Sequence, residues 1–121
     1  MIIPPTIAPE GFKVPISCSF TGIKFLPFLS LANNSANPSL MLYNERVSYK
    51  VLRTSGAHYA EIEKIDADYN ALMQNLTLNF KNSVFTLTVR MNRIEDLREI
   101  IRFFERKSVA LSAEALELVT N

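Results

Sequence analysis

Two strongly alternating segments, followed closely by one amphipathic segment, constrain the fold of this chain more than any other feature. In residues 75–81 and 84–91 apolar side chains recur at every second position, with mostly polar residues between them. Alternation with a period of two is typical of strands that bury one face of a sheet. The apolar set is Leu76, Leu78, Phe80, Phe85, Leu87, Val89 and Met91.

These two segments are predicted to pair as a hairpin with a two-residue turn at Asn82 and Ser83. A slip of one residue would move every apolar side chain to the opposite face, so the pattern specifies the register. Asparagine suits the positive φ that the first position of a type I′ turn requires. The predicted facing pairs are Leu76 with Val89, Leu78 with Leu87 and Phe80 with Phe85 on the buried side, and Thr77 with Thr88 on the solvent side.

The amphipathic segment is predicted to form a helix over residues 94–107. Asn92 is the predicted N-cap, and Glu95 stands three residues later, as in a capping box. Each large apolar residue that the helix buries contributes about 1.5–3 kcal/mol, so packing rather than surface charge holds it on the sheet. The predicted buried face consists of Ile94, Leu97, Ile100, Ile101 and Phe104.

Composition predicts a globular protein in a reducing compartment. The chain has 121 residues, with 48% hydrophobic and 21% charged side chains, which fits one folded domain. Its net charge of +1 creates no long-range electrostatic attraction to nucleic acid or to acidic membranes. Cys18 is the only cysteine, and the N-terminus lacks the pattern of a signal peptide, so we expect a cytoplasmic protein.

Residues 1–11 are predicted to be a flexible, proline-containing arm, and residues 12–121 a single domain. Residues 12–31 resemble a strand that Pro15, Gly22 and Pro27 interrupt. A second hairpin is predicted around a turn at Asn44. The remaining predicted elements are a turn at 54–56, a strand at 57–65, a loop at 66–74 and a short final helix capped by Ser112.

Several antiparallel strands followed by a helix predict a mainly β fold in which the sheet curls and the helix closes one end. In residues 40–49, 62–66 and 94–107 the chain resembles a bacterial pleckstrin-homology-like (PH-like) domain, and the resemblance covers residues 15–109. It implies a partly open barrel of two near-orthogonal antiparallel sheets, with about seven strands and a C-terminal helix as a cap. It also implies a noncatalytic module that binds peptides, proteins or lipid headgroups.

Lipid binding is the first alternative that the sequence leaves open. PH-like members that bind phosphoinositides cluster basic residues around the first strand–strand loop, whereas the matching residues 20–39 contain only Lys24. A peripheral membrane adaptor would instead bind anionic lipid through a small basic patch of Lys50, Arg53 and Lys64. The same patch lacks tryptophan and is interleaved with acidic residues, so no nucleic-acid partner is predicted.

A small enzyme that uses His58 with Glu61 or Asp66 is the second alternative. His58 is the only histidine, and no nucleophile-elbow pattern surrounds Ser55 or Cys18. The prediction is therefore that the chain has no catalytic residues.

Metal and nucleotide sites are not predicted either. Residues 66–70 match the first three ligand positions of a calcium loop, but Ala71 replaces the required glycine and Thr77 the final glutamate. Three glycines in the whole chain do not form a phosphate-cradling loop. We expect no metal and no cofactor.

Surplus apolar residues near the C-terminus predict a contact with a partner. Phe103 lies at the margin of the helical stripe, while Leu116 and Val119 share one side of the last helix. These side chains either pack together or form an exposed patch for another protein or a second copy of the chain. The edges of a partly open sheet offer another route, by pairing with an extended peptide. The predicted function is a noncatalytic binding or assembly module.

Overall fold

The structure, a computed structural model, describes residues 1–25 and 30–120, so the predicted interruption at Pro27 lies outside the described residues. Within them the chain forms nine strands, two helices and a single 3₁₀ turn at Tyr59–Glu61. The strands are β1 Phe12–Lys13, β2 Ile16–Ile23, β3 Ala32–Asn34, β4 Ser39–Leu42, β5 Arg46–Lys50, β6 Thr54–His58, β7 Ile62–Tyr69, β8 Gln74–Phe80 and β9 Phe85–Met91. The helices are α1 Ile94–Arg106 and α2 Ala113–Thr120.

Two antiparallel sheets form the body of the fold. One contains four strands in the order β1-β4-β5-β6, and the other five strands in the order β3-β2-β9-β8-β7. Among the described residues β6 and β7 end their sheets without pairing to each other, so the arrangement is a partly open sandwich rather than a closed barrel. The predicted mainly β class, with two antiparallel sheets and C-terminal helices, is confirmed.

One bent hairpin belongs to both sheets. β1 pairs with β4 in the four-stranded sheet, and β2 pairs with β3 in the five-stranded sheet. The Val14 N–H donates to the Leu40 carbonyl at 2.9 Å, but Pro15 has no N–H with which to continue the ladder. If β1–β2 and β3–β4 are each counted as one bent strand, the nine strands become seven, the number that the resemblance to PH-like domains implies.

The hairpin of β8 and β9 has the predicted register. Leu76 pairs with Val89, Thr77 with Thr88, and Leu78 with Leu87. The connection is longer than predicted, because the strands end at Phe80 and Phe85. Asn82 has the anticipated positive φ of 57°, but Ser83 does not, so the predicted two-residue turn is wrong. The Ser83 hydroxyl instead accepts the N–H of Phe85 at 3.1 Å.

Two side chains of this hairpin have a different exposure from the predicted one. Phe85 is 50% exposed because it lies at the last pair of the ladder, opposite Ile23. Thr88 is only 3% exposed, although it was expected to face solvent. Its hydroxyl lies 2.8 Å from that of Thr77, and this hydrogen bond compensates for its burial.

Helix α1 packs its apolar face on the sandwich as predicted. Leu97, Ile100, Ile101 and Phe104 are 0% exposed. The N-cap is Arg93 rather than Asn92, and no side chain caps the helix there. The helix ends at Arg106, one residue before the predicted end, because Ser108 turns into the left-handed region with a φ of 65°.

The N-terminal arm is part of the core, so the prediction of a flexible segment is wrong. Ile3 and Ile7 are 4% and 3% exposed. The Ile3 N–H donates to Glu99 Oε2 on α1 at 3.0 Å. Asn44 hydrogen-bonds both the N–H and the carbonyl of Ile7, each at 2.8 Å. The two buried isoleucine side chains and the three hydrogen bonds therefore hold the arm on the domain despite its proline content.

The region from 54 to 74 also departs from the predicted elements. Residues 54–56 are the start of β6 and not a turn, and a 3₁₀ turn interrupts the predicted strand 57–65. β7 extends into the predicted loop as far as Tyr69, and Asn70 Oδ1 closes a tight turn by accepting the N–H of Met73 at 3.0 Å. The predicted cap of the last helix is confirmed, because Ser112 Oγ accepts the N–H of Ala115 at 3.1 Å.

Candidate functional site

A cleft of about 550 Å³ opens between the two sheets, beside β6 and the turn that joins β8 to β9. The four-stranded sheet contributes Tyr49, Ser55, Gly56 and Ala57. The five-stranded sheet contributes Thr21, Phe80, Phe85 and Leu87. This volume lies within the range of about 300–1,000 Å³ that ligand sites occupy.

The floor of the cleft is apolar. Tyr49 and Phe80, one from each sheet, stack with ring centroids 5.6 Å apart and planes inclined by 22°. Leu87 and Ala57 complete the floor and are 2% and 8% exposed. Burial raises the pKa of the Tyr49 hydroxyl, and the nearby Glu61 carboxylate raises it further. Tyr49 therefore keeps its proton and offers a neutral hydroxyl at the edge of an aromatic surface.

β6 borders the cleft with an unpaired edge. It pairs with β5 on one side, and no strand of the described residues pairs with its other side. Three consecutive residues, Ser55, Gly56 and Ala57, line the cleft, so the backbone of β6 borders it as well as the inward side chains. Gly56 has no side chain to cover this edge. Unpaired N–H and carbonyl groups along such a strand are a template for another strand.

Phe85, which lines the cleft, and three exposed apolar residues close to lining residues in the chain or through a hydrogen bond form a second feature of this region. Phe85 is 50% exposed and Val84 49%. Phe25 is 78% exposed and follows Lys24, whose N–H donates to the Val84 carbonyl at 2.8 Å. Leu52, in the turn between β5 and β6, is 75% exposed. We call Phe25, Leu52, Val84 and Phe85 the apolar rim; clusters of this kind typically mark interaction sites.

Charged groups also line the cleft. Arg53 approaches from the four-stranded sheet and Lys81 from the five-stranded sheet. Both side chains are exposed, and neither forms an ion pair within the described residues. The one carboxylate of the lining is Glu61, whose Oε1 accepts the N–H of His58 at 2.8 Å. The cleft therefore has a net positive mouth above an apolar floor.

The predicted contact patch near the C-terminus is not formed as expected. Phe103 is 2% exposed and packs edge-on against Tyr59 and Phe104, at centroid distances of 5.6 Å for both. Of the two alternatives for Phe103, packing within the protein and exposure to a partner, the structure has the first, because α1 buries a wider face than its apolar stripe in the sequence indicates. Leu116 is 45% exposed, whereas Val119 is half-buried against the core. Leu116 stays a predicted contact.

The three basic residues of the lipid alternative do not form one patch. Lys50 follows the inward-facing Tyr49 and so points away from the cleft, which Arg53 lines. Lys64 lies on β7 in the other sheet, where it lines a second depression. The prediction of a shared patch is wrong because the 3₁₀ turn after β6 carries the chain from one sheet to the other.

Of the residues of the enzyme alternative, the structure brings His58 and Glu61 together at the 3₁₀ turn, where Glu61 Oε1 accepts the His58 N–H at 2.8 Å, and places Asp66 elsewhere. His58 is exposed on β6 and lines neither the cleft nor the second depression, whereas Glu61 lines the cleft. Asp66 lies on β7, where its Oδ1 accepts the Ser112 hydroxyl at 2.7 Å and the Ala67 N–H at 2.9 Å. Within the described ranges, no group of three His, Cys, Asp or Glu side chains has the arrangement of a metal site.

The second depression, on the outer face of the five-stranded sheet, also measures about 550 Å³. Most of its polar lining is already paired within the protein. Thr77 and Thr88 share a hydrogen bond, and Arg90 Nε donates to Asn75 Oδ1 at 3.2 Å. Its lining also combines acidic and basic side chains, so its geometry favours no single class of ligand.

Sequence reasoning missed two components of the cleft, the edge strand β6 and the exposed Phe85. The signal for Phe85 was present: Val84 and Phe85 are adjacent, and neighbouring residues of a strand point to opposite faces. At least one of the two apolar side chains therefore had to lie outside a one-sided core. For β6 no comparable signal exists, since Thr54, Ser55 and Gly56 show no apolar alternation.

Comparisons with models of protein families and with curated proteins find no match for this chain. In the part of the chain that the structure describes, neither helix has the length and apolar character needed to cross a membrane. The function of the cleft is therefore inferred from its geometry.

Proposed function

We propose that the protein is a noncatalytic binding module whose cleft takes up an extended segment of a partner protein. The unpaired edge of β6 directly beside an apolar floor carries this proposal. A guest strand would add to β6 and extend the four-stranded sheet. This proposal keeps the predicted class of function but moves the contact from the C-terminal helices to the cleft.

Strand addition fits both the length of β6 and the shape of the cleft. The five residues of β6 offer main-chain donors and acceptors that bind a guest strand irrespective of its side chains. Because side chains alternate along a strand, every second residue of the guest would enter the cleft. The stacked rings of Tyr49 and Phe80 provide the surface for an apolar side chain there.

The apolar rim adds to the surface that binding would bury. Apolar area removed from water contributes about 25 cal/mol per Å², and aromatic side chains supply the largest areas. Phe85 both lines the cleft and exposes half of its surface, so a guest strand would cover it first. Phe85 is accordingly the residue that we expect to contribute most to affinity.

The noncatalytic part of the proposal is supported by the composition of the lining. The described cleft contains serine and threonine hydroxyls but no histidine or cysteine. Its single carboxylate, Glu61, already accepts a backbone N–H. A nucleophile with an adjacent oriented base is the usual requirement for covalent catalysis, and this lining does not combine the two.

A displayed library of random dodecapeptides, selected on the full chain, tests the proposal. We expect enriched peptides that bind wild type and the Leu116→Ala variant equally but lose at least about tenfold in affinity for Phe85→Ala. Leu116 is a matched control because its 45% exposure is close to the 50% of Phe85. Replacing single amides of an enriched peptide by N-methyl amides should weaken binding at every second position, the pattern of strand pairing.

Four results would contradict this function. Failure to enrich any peptide, or enriched peptides that are sensitive to Leu116→Ala but not to Phe85→Ala, would remove the cleft as the site. Concentration-dependent dimers in light scattering that Phe85→Ala abolishes would identify a second copy as the occupant. Sedimentation with vesicles of phosphatidylcholine and phosphatidylserine, lost in Phe85→Ala, would identify a membrane instead.

A further inference from the structure

The mouth of the cleft has two cations whose charge the protein does not neutralise. Arg53 and Lys81 both line the cleft; Arg53 lies in the connection between β5 and β6 of the four-stranded sheet, and Lys81 in the connection between β8 and β9 of the five-stranded sheet. Some other basic side chains are engaged; Lys24 Nζ, for example, lies 3.2 Å from Glu63 and 2.9 Å from the Phe80 carbonyl. Lys107 Nζ donates to the Asn44 carbonyl at 2.7 Å. Within residues 1–25 and 30–120, Arg53 and Lys81 have no such partner.

Glu61 does not cancel this pair. It is a single carboxylate against two cations, and one of its oxygens already binds the His58 N–H. Its charge acts on Tyr49, whose pKa burial and, to a lesser extent, this carboxylate raise. Glu61 is a neighbour of Lys81 as well as of Tyr49, because the Lys81 N–H donates to the Glu61 carbonyl at 2.8 Å. The lining still carries two cations against one carboxylate, so its net charge favours an anionic group beside Arg53 and Lys81.

We infer that the partner segment carries an acidic residue, Asp or Glu, close to a large apolar residue. This inference rests on the proposed function and specifies the guest. The apolar side chain enters the cleft over Tyr49 and Phe80, and the carboxylate binds between Arg53 and Lys81. Complementary charges of this kind select partners and accelerate association more than they add to final affinity.

The same charges argue against a second copy of this chain as the occupant. A two-fold symmetric contact places the same patch of each subunit against the other. Pairing of β6 with its symmetry mate would therefore bring Arg53 and Lys81 of both subunits to one interface. Like charges at such an interface select against the partner that carries them.

The test compares two charge-reversed variants of the full chain. The mouth variant combines Arg53→Glu with Lys81→Glu and reverses the charge at the mouth of the cleft. The control variant combines Lys13→Glu with Lys64→Glu and reverses the charge of two exposed residues outside the cleft. Each reversal lowers the net charge by two, so both double variants change from +1 to −3. All four positions are exposed, so little loss of stability is expected from either variant. The probe is the random dodecapeptide library.

Wild type and the control variant are expected to enrich peptides with Asp or Glu near an aromatic or aliphatic residue. The mouth variant should instead enrich peptides with Lys or Arg at the corresponding position. A peptide selected on wild type should bind the mouth variant on the order of tenfold more weakly at low salt, and this difference should shrink at high salt.

The outcomes separate this inference from the function on which it rests. Peptides that depend on Phe85 but show no acidic preference, and that bind both double variants equally, would overturn the inference and leave the binding module intact. Peptides that lose affinity equally in the control variant would show a net-charge effect and also overturn it. If no enriched peptide depends on Phe85, the proposed function itself fails.

Discussion

Aromatic residues are buried on the side of the sandwich that α1 covers, here called the helix side, and two others are exposed on the side of the cleft, here called the open side. On the helix side Tyr59, Phe103 and Phe104 pack edge-on with one another and are 7%, 2% and 0% exposed. On the open side Phe25 and Phe85 are 78% and 50% exposed. The same type of side chain therefore stabilises the fold at one place and remains available for contact at the other.

Several backbone polar groups follow the same division, although the buried Arg98 Nε on α1 has no hydrogen-bond partner among the described residues. On the helix side Glu99 accepts the Ile3 N–H, Asn44 binds both backbone groups of Ile7, and the Tyr59 hydroxyl donates to the Tyr43 carbonyl. At the cleft the edge of β6 lacks a strand partner in the described part of the chain. Interaction sites are expected where a rigid scaffold leaves such groups unsatisfied, and this difference is what identifies the open side.

The largest expected effect separates two phenylalanines. Phe104→Ala should lower the free energy of unfolding by about 3–5 kcal/mol, because it leaves a cavity among fully buried neighbours. Phe85→Ala should change it by only about 0.5 kcal/mol or less, since half of that side chain is already in water. Urea unfolding of both variants measures the difference. Similar losses in both would contradict the division between the two sides.

The N-terminal arm gives the next largest effect. Ile3→Ala should destabilise the protein by about 2 kcal/mol or more, because the side chain is 4% exposed against the core. Ile2→Ala is the matched control, as the neighbouring side chain is 84% exposed. Thermal unfolding monitored by circular dichroism compares the two. If neither substitution lowers the midpoint, the arm does not belong to the helix side.

Alkaline pH is a third way to examine the helix side. Burial raises the pKa of the Tyr59 hydroxyl above its ordinary value of 10.0. The unfolded chain therefore loses this proton first, and stability falls as pH rises above about 10, by up to about 1.4 kcal/mol per pH unit. Tyr59→Phe removes this contribution, so its stability should fall less steeply in that range. Parallel profiles would contradict the burial of the hydroxyl.

The smallest expected effect concerns the final helix. Ser112→Ala removes the acceptor for the Ala115 N–H and the donor to Asp66, at a cost of about 1 kcal/mol. Ser112→Asn, which retains a capping oxygen, should recover part of this loss. Chemical denaturation distinguishes the two variants. An unchanged stability in Ser112→Ala would mean that α2 is held by packing alone.

The sequence predicted those parts of the fold in which one periodic pattern decides the structure. The register of β8 and β9 follows from an alternation that only one pairing satisfies, and the buried face of α1 follows from its helical stripe. The burial of Ile3 and Ile7 could not be predicted, because it depends on Asn44 and Glu99, which are distant in sequence.

The candidate site was predicted less well, for a physical reason. A cleft forms where the core is incomplete, and the residues beside it show no strong pattern. β6 is held by pairing with β5 and not by alternating apolar residues of its own. Arg53 and Lys81 are far apart in the sequence, and only the approach of the two sheets brings them to one mouth.

Amide hydrogen exchange of the full chain, with and without a dodecapeptide selected on it, tests the central claim most directly. The claim is that β6 receives a guest strand beside the apolar floor. Backbone amides in Thr54–His58 and near Phe85 should then exchange at least about tenfold more slowly when the peptide is bound, whereas amides of α1 should be unchanged. Slower exchange confined to α1 and α2, with β6 unaffected, would contradict the claim.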